Sequence, residues 1–177
     1  MILIVDFGSQ YNQLIARRVR ETQVFCQIEP PSVPVERIKA LNPRGIILSG
    51  GPSSIYEQNS PKIDRAIFDL GIPVLGICYG MQFMADALGG AVQCSEKREY
   101  GFAELSIIDA GAVFKDIASP TSCWMSHGDT VKTLPGGFHA TAHTSNTPVA
   151  AMADPQRKFF GLQFHPEVDH TPLGKKM

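Results

Sequence analysis

The segment Gly76-Ile77-Cys78-Tyr79-Gly80, set between an apolar run and an amphipathic one, restricts what this chain can fold into more than any other feature. Pro73 to Ile77 predicts a buried strand. A helix starting near Tyr79 should bury Met81, Met84, Ala85 and Leu88 and end at Gly89-Gly90. The pattern G-x-C-x-G at that junction is the cysteine counterpart of the nucleophile elbow. Side chains at 76 or 80 would collide with neighbouring elements in so sharp a turn, so glycines are required there. Cys78 would then stand at the carboxyl end of a central strand, where open α/β sheets place their ligands. A helix N-terminus behind the sulfur favours a thiolate, and the Tyr79 N–H would point where an oxyanion forms. A free cysteine is more often a buried structural residue; two glycines at these offsets, in a strand-turn-helix context, weigh against that reading.

The same alternation runs upstream. Met1 to Val5 predicts a strand, and Gln10 to Arg20 a helix with Tyr11, Leu14, Ile15 and Val19 at helical spacing. Val24 to Ile28 alternates as a strand, and Val35 to Leu41 reads as a short helix ended by Asn42-Pro43. Gly45 to Leu48 is a further buried strand. A helix capped by Ser60, with Pro61 in its first position, the stripe Ile63, Ala66, Ile67 and Leu70, and Gly71 as its stop should follow. This order predicts one α/β domain over residues 1–177, with a central, mostly parallel sheet, right-handed crossovers and helices on both faces. After Gly90 the pattern turns to strands: Phe102 to Ile108, Ser122 to Ser126, Ala140 to Thr144, Val149 to Ala153 and Phe159 to Phe164. Thr171-Pro172 reads as the start of a helix that stops after barely one turn. A longer polypeptide is therefore expected.

Composition excludes several classes. The 177 residues are 44% hydrophobic and 19% charged with a formal net charge of -1, and no basic stripe points to nucleic acid. The longest apolar runs, about six residues, are too short to span a membrane, and Met1 to Asp6 lacks the flank and cleavage site of a signal peptide. Cys26, Cys78, Cys94 and Cys123 show neither zinc-knuckle nor C-x-x-C spacing, so a reduced, cytoplasmic setting is expected. Cys26, Cys94 and Cys123 read as core or surface residues without function.

A thiolate nucleophile needs a base and a group that orients it. Phe164-His165-Pro166-Glu167 supplies both, because two residues apart on extended backbone point to one side. Glu167 would hold the His165 imidazole and stabilise its cation. Taken alone, H-x-E is also what a surface pair looks like; the elbow upstream favours a triad. Ser49-Gly50-Gly51-Pro52-Ser53 ends another strand without the lysine of a P-loop or the spacing of a dinucleotide fingerprint. An oxyanion donor, with Gly51 the candidate, fits it better than a phosphate cradle. Trp124-Met125-Ser126-His127-Gly128-Asp129 reads as a polar turn interrupting an apolar strand, with His127 a weaker candidate for base. His139, His143 and His170 have no metal-ligand spacing with any cysteine, and no metal site is expected.

Together the elbow, His165-Pro166-Glu167 and Gly50-Gly51-Pro52 resemble a class I (triad) glutamine amidotransferase domain, a flavodoxin-like fold, over essentially the whole chain. Asp6-Phe7-Gly8-Ser9-Gln10-Tyr11, Ser49 to Ser54, Trp124 to Asp129 and Phe164 to Val168 are similar, within that family, to the glutaminase domains of GMP synthetases. The resemblance implies a triad of Cys78, His165 and Glu167, oxyanion N–H groups from Gly51 and Tyr79, and substrate contacts from Gly50, Gln82, Ser126, His127 and Asp129. The main chain of Ser126 and His127 would hold the backbone end of L-glutamine, and Asp129 would attract its ammonium. It implies no cofactor in this domain, and ATP and Mg only at an ATP-pyrophosphatase synthetase module, in the same polypeptide or a separate subunit. No Ser-Gly-Gly-x-Asp-Ser loop of such a module occurs here. Asp169 departs from the pattern, which has an apolar residue or Thr there, and adds a charge beside the triad loop. Two other readings stay open: another Cys-His hydrolase on this fold, such as a γ-glutamyl hydrolase or peptidase, and a non-catalytic interaction domain.

Overall fold

Four short runs of near-continuous hydrophobicity form all but the edge strand of the parallel half of one sheet, as strands covered on both faces require. The computed structural model describes residues 1–177, with side chains for all but residues 96 and 97. Its elements are β1 (Ile2–Val5), α1 (Asn12–Glu21), β2 (Cys26–Glu29), α2 (Val35–Leu41), β3 (Gly45–Leu48), β4 (Val74–Ile77), α3 (Tyr79–Ala87), β5 (Ala91–Ile107), β6 (Thr121–Thr133), β7 (His139–His143), β8 (Ala151–Asp154) and β9 (Phe159–Leu162). The nine strands run in the order β2-β1-β3-β4-β9-β8-β7-β5-β6. The first five in that order are mutually parallel, and the remaining neighbours pair antiparallel.

Helices lie on both faces, as the alternation predicts. Leu3, Val5, Ile46, Leu48 and Val74 pack under α2 and α3 through Val35, Ile38, Met81 and Met84. The alternate residues Ile4 and Ile77, with Ile47 and Leu75 beside them, meet Ile15 and Ala16 of α1. That period-2 division is the strand pleat expressed as two cores. Beside α1 the second face stays open as an apolar groove of about 760 Å³, lined by Ile47, Leu75, Ile77 and Leu162 and ending at Met177.

Three expectations change. The helix placed from Ser60 to Gly71 is one 3-10 turn, Arg65–Asp69, capped by the Asp64 side chain, which accepts from the Ala66 N–H at 2.9 Å. Ser60 does not cap it: its hydroxyl donates to the Ile55 carbonyl. The carbonyl of Pro61 accepts from the Tyr79 hydroxyl at 2.6 Å instead of from a helical N–H. Residues 124–129 form no turn. They run within β6, where Cys123, Met125 and His127 are buried on one side in strict alternation. Thr171 does not cap the final 3-10 turn, Gly174–Lys176. Its hydroxyl donates to the His165 carbonyl at 2.7 Å and accepts from the Trp124 N–H at 3.0 Å.

Candidate active site

Strand register gathers the candidate residues. Ile77 stands opposite Leu162 in the parallel β4–β9 pair, so Cys78 and the His165 loop leave the same edge of the sheet. Leu48 is opposite Gly76 and Val5 is opposite Leu48, which brings the Gly50-Gly51 turn and the Phe7–Tyr11 loop to that edge too. The antiparallel strand β6 arrives from the side, tied there by the His165 N–H donating to the Trp124 carbonyl at 3.0 Å. The result is a cavity of about 610 Å³ whose walls include Cys78, Gln82, Ser126, Asp129 and His165.

Cys78 sits at φ +50°, ψ -108°, at the N-cap of α3, a strained conformation for a residue with a side chain. The surroundings fix it from both sides. Its N–H donates to the Leu162 carbonyl at 2.7 Å, and the Gly80 N–H donates to the Ser49 carbonyl at 3.0 Å. A Cβ at Gly76 would fall 2.6 Å from the Met81 nitrogen, and one at Gly80 2.7 Å from the Leu48 carbonyl carbon. Both glycines are therefore demanded by close approach of backbone.

His165 and Glu167 meet as their spacing predicts: Nδ1 lies 2.8 Å from a Glu167 carboxylate oxygen, with both side chains buried. The other Glu167 oxygen has no hydrogen-bond partner among the described residues. Burial alone would lower the pKa of His165. The Cys78 side chain, hydrogen-bonded to the ring, and the Glu167 carboxylate outweigh it and raise the value to about 10. Its ordinary value is 6.5. The stability that protonated His165 contributes is thus full below pH 6.5 and is lost as pH rises towards 10. The melting temperature of the wild type should fall more steeply across that window than that of His165→Gln. Parallel slopes in a calorimetric pH series would remove the buried pair from the account.

The glycine turn adjoins these groups. A Cβ at Gly50 would lie 3.0 Å from His165 Cε1 and 3.7 Å from Cys78 Cβ, and one at Gly51 2.7 Å from the Phe7 carbonyl oxygen. The Gly51 N–H makes no hydrogen bond among the described residues. Tyr79 is the first residue of α3, so its N–H is among those a helix leaves without an internal partner. Gln82 is 3% exposed, and its Nε2 donates to the Asp129 carbonyl at 2.8 Å and to Gln163 Oε1 at 3.2 Å. Gln163 Nε2 in turn donates to the Cys78 sulfur at 3.7 Å. The Ser126 carbonyl faces that sulfur at 3.6 Å. Asp129 accepts from the Ser54 hydroxyl at 2.5 Å. His127 is turned away from proton transfer: burial holds its pKa below the ordinary value, and its Nδ1–H donates to the Asp129 carbonyl at 2.9 Å. Among the described residues no three His, Cys, Asp or Glu side chains gather as metal ligands, and no helix is long and apolar enough to cross a membrane.

A reactive-cysteine elbow facing a buried His–Glu pair is chemistry shared by several hydrolases, so comparison with known proteins decides the family. Residues 3–177 match the model of the glutamine amidotransferase class-I family. The chain belongs to that family. It is 56% identical over 176 residues to a protein of Heliobacterium modesticaldum named GMP synthase [glutamine-hydrolyzing], covering 99% of this chain and 34% of that protein. A Clostridium botulinum protein of the same name is 52% identical, with 100% and 35% covered. The chain thus spans about a third of the length of these curated relatives. Among solved structures, a Thermoplasma acidophilum protein provisionally assigned as a GMP synthase subunit superposes with a TM-score of 0.90 at 30% identity, with 98% of this chain and 87% of that one covered. A glutamine amidotransferase from Thermotoga maritima shares the fold, with a TM-score of 0.75 at 23% identity, 94% and 76% covered.

Within this class I amidotransferase domain, Asp169 stays clear of the His165–Glu167 pair. It pairs with Arg18 at 2.6 Å with its side chain 90% exposed, and the same guanidinium donates from Nε to the Glu167 carbonyl at 2.9 Å. The added charge is answered by a cation that also braces the Glu167 loop. Gln163 and Glu99 join the surroundings of the site without having been singled out by any motif. A polar residue inside the apolar run Phe159 to Phe164 was a visible signal for Gln163. Glu99 is 7% exposed and takes hydrogen bonds from Thr144 and Asn146, partners more than forty residues away in the chain. Two of the other cysteines are deeply buried. Burial and the Glu99 charge push the Cys123 thiol up to about 12, and Cys26 donates to the Ala16 carbonyl. Cys94 is exposed, and all four thiols are free.

Proposed function

We propose that this chain is the glutaminase domain of a GMP synthase, a single domain that releases ammonia from L-glutamine through a thioester on Cys78. The observation that carries the reading is Cys78, held at φ +50° on the elbow and sharing one cavity wall with a His165 that Glu167 orients. The substrate comes from kinship: the relatives of highest identity named above are glutamine-hydrolysing GMP synthases.

In this mechanism glutamine lies along the cavity with its side-chain amide over Cys78. The thiolate attacks the amide carbon, and the N–H groups of Gly51 and Tyr79 stabilise the oxyanion, each donor contributing about 3 kcal/mol. Protonated His165 gives its proton to the departing nitrogen, and ammonia leaves. Neutral His165 then takes a proton from water, which attacks the γ-glutamyl thioester; the C–S bond breaks, glutamate departs, and the thiolate–imidazolium pair is restored. The raised pKa of His165 suits the first step, because the imidazolium is the resting form. Main-chain groups of Ser126 and His127, with Gly50 and Gln82, bound the substrate, and Asp129 attracts its ammonium. No cofactor takes part in this domain. ATP and Mg act at a synthetase module, in the same polypeptide or a partner subunit, where ammonia converts adenylylated XMP to GMP. The free thiols accord with a reducing, cytoplasmic setting.

The competing reading, a γ-glutamyl hydrolase or peptidase on the same fold, makes a different prediction for substrates. Glutamate release from free glutamine should exceed release from γ-glutamyl peptides by at least about tenfold in kcat/KM. A preference for the peptides would overturn the glutaminase assignment.

A further inference from the structure

The rim of the cavity carries a cation that the triad chemistry does not use. Arg98 and Tyr100 line the same cavity as Cys78 and Asp129, across β6 from the glycine turn. Their placement follows from Glu99 between them. Glu99 is opposite His127 in the β5–β6 register. Its carboxylate is buried, accepts from Thr144 at 3.0 Å and Asn146 at 3.3 Å, also accepts from Thr147, and lies 3.6 Å from His127 Nε2. Pulling Glu99 out would strand a buried charge, so its carboxylate anchors β5 just past the irregular pairing between Cys94 and Glu99. Arg98 and Tyr100, on either side of that anchor, reach the cavity wall. A Cβ at Gly128 would stand 3.7 Å from Arg98 Nε and 3.8 Å from the Tyr100 hydroxyl, so the guanidinium lies against the main chain of β6. Among the described residues Arg98 has no hydrogen-bond or ion-pair partner.

Charge decides what it awaits. The carboxylates on the cavity wall are Glu57 and Asp129, and His165 is committed to Glu167 and Cys78. Without Arg98 the wall around the amino-acid end would repel a carboxylate. With it, the cavity wall carries both an anion and a cation, the pair of charges that matches an α-amino acid zwitterion. We propose that Arg98 is the specificity residue that binds the α-carboxylate of the amino-acid substrate, while Asp129 faces the α-ammonium. This inference rests on the glutaminase reading above and deepens it.

The test reads recognition without requiring turnover. The rate of Cys78 modification is measured by peptide mass spectrometry for three reagents. One is a chloromethyl ketone carrying the α-amino and α-carboxylate groups of glutamine, the second is the same ketone with an α-carboxamide, and the third is iodoacetamide. Wild type should prefer the carboxylate ketone over the carboxamide at least about tenfold. Arg98→Ala should abolish that preference, Arg98→Lys should keep part of it, and iodoacetamide should still reach Cys78 in both. An unchanged preference in Arg98→Ala overturns the inference alone. So does an equal slowing with all three reagents in both variants, which would make Arg98 structural. A wild type that reacts with the glutamine ketone no faster than with iodoacetamide overturns the glutaminase reading itself.

Discussion

Cys78→Ala is expected to reduce glutamine hydrolysis by at least about a thousandfold while the domain stays folded. The loss follows from the absence of a second thiol at the site: among the described residues the other thiols are buried elsewhere or exposed on β5. The retained fold follows from what the side chain contributes. Besides its interaction with the His165 ring, its sulfur makes only long contacts, 3.6 Å to the Ser126 carbonyl and 3.7 Å to Gln163, and alanine carries the same Cβ at φ +50°. Loss of the sulfur should also lower the pKa of His165, since the Cys78 side chain is one of the two groups that raise it against burial. Under the proposed function, a synthetase module joined to this variant should still use added ammonia. Glutamate release at wild-type rate by Cys78→Ala would dismiss the thioester route.

Gly80→Ala should damage stability and activity together. The new methyl would stand 2.7 Å from the Leu48 carbonyl carbon and Cβ, and the Gly80 N–H is already bound to Ser49. Neither neighbour is the far end of a flexible chain, so strands and helix must separate, at a cost of about 3 kcal/mol. The movement would displace the Tyr79 N–H from its proposed oxyanion position, so hydrolysis should fall even in the folded fraction. Gly89→Ala is the contrast. There φ is +89° but nothing lies within 4 Å, so only backbone strain, about 1 kcal/mol, applies. Equal thermal shifts for the two variants would mean that packing against β3 does not shape the elbow.

Much of this architecture was legible because its determinants are local. α2 spans Val35 to Leu41 as punctuation predicts, and β3 spans Gly45 to Leu48. The elbow announced itself through two glycines whose reason is steric. What stayed hidden depends on contacts between segments far apart in the chain. His127 in the middle of β6 looked like a turn residue, because a strand tolerates it only once the Asp129 carbonyl, Thr147 and Glu99 surround it. The helix expected from Ser60 shrank because Tyr79, in another element, takes the Pro61 carbonyl. The burial of Glu99 carries no local signal, because its partners Thr144, Asn146 and Thr147 lie more than forty residues along the chain. The spacing of His165 and Glu167 was readable. Their meeting with Cys78 needed the β4–β9 pairing, which no local pattern encodes.

The most direct measurement is to map where a glutamine-derived chloromethyl ketone attaches to the protein and whether free glutamine protects. The account predicts one adduct, on Cys78, formed fast and slowed by millimolar glutamine, with the exposed Cys94 reacting only at the rate of an ordinary surface thiol. An adduct confined to Cys94, or one on Cys78 that glutamine does nothing to slow, would contradict it.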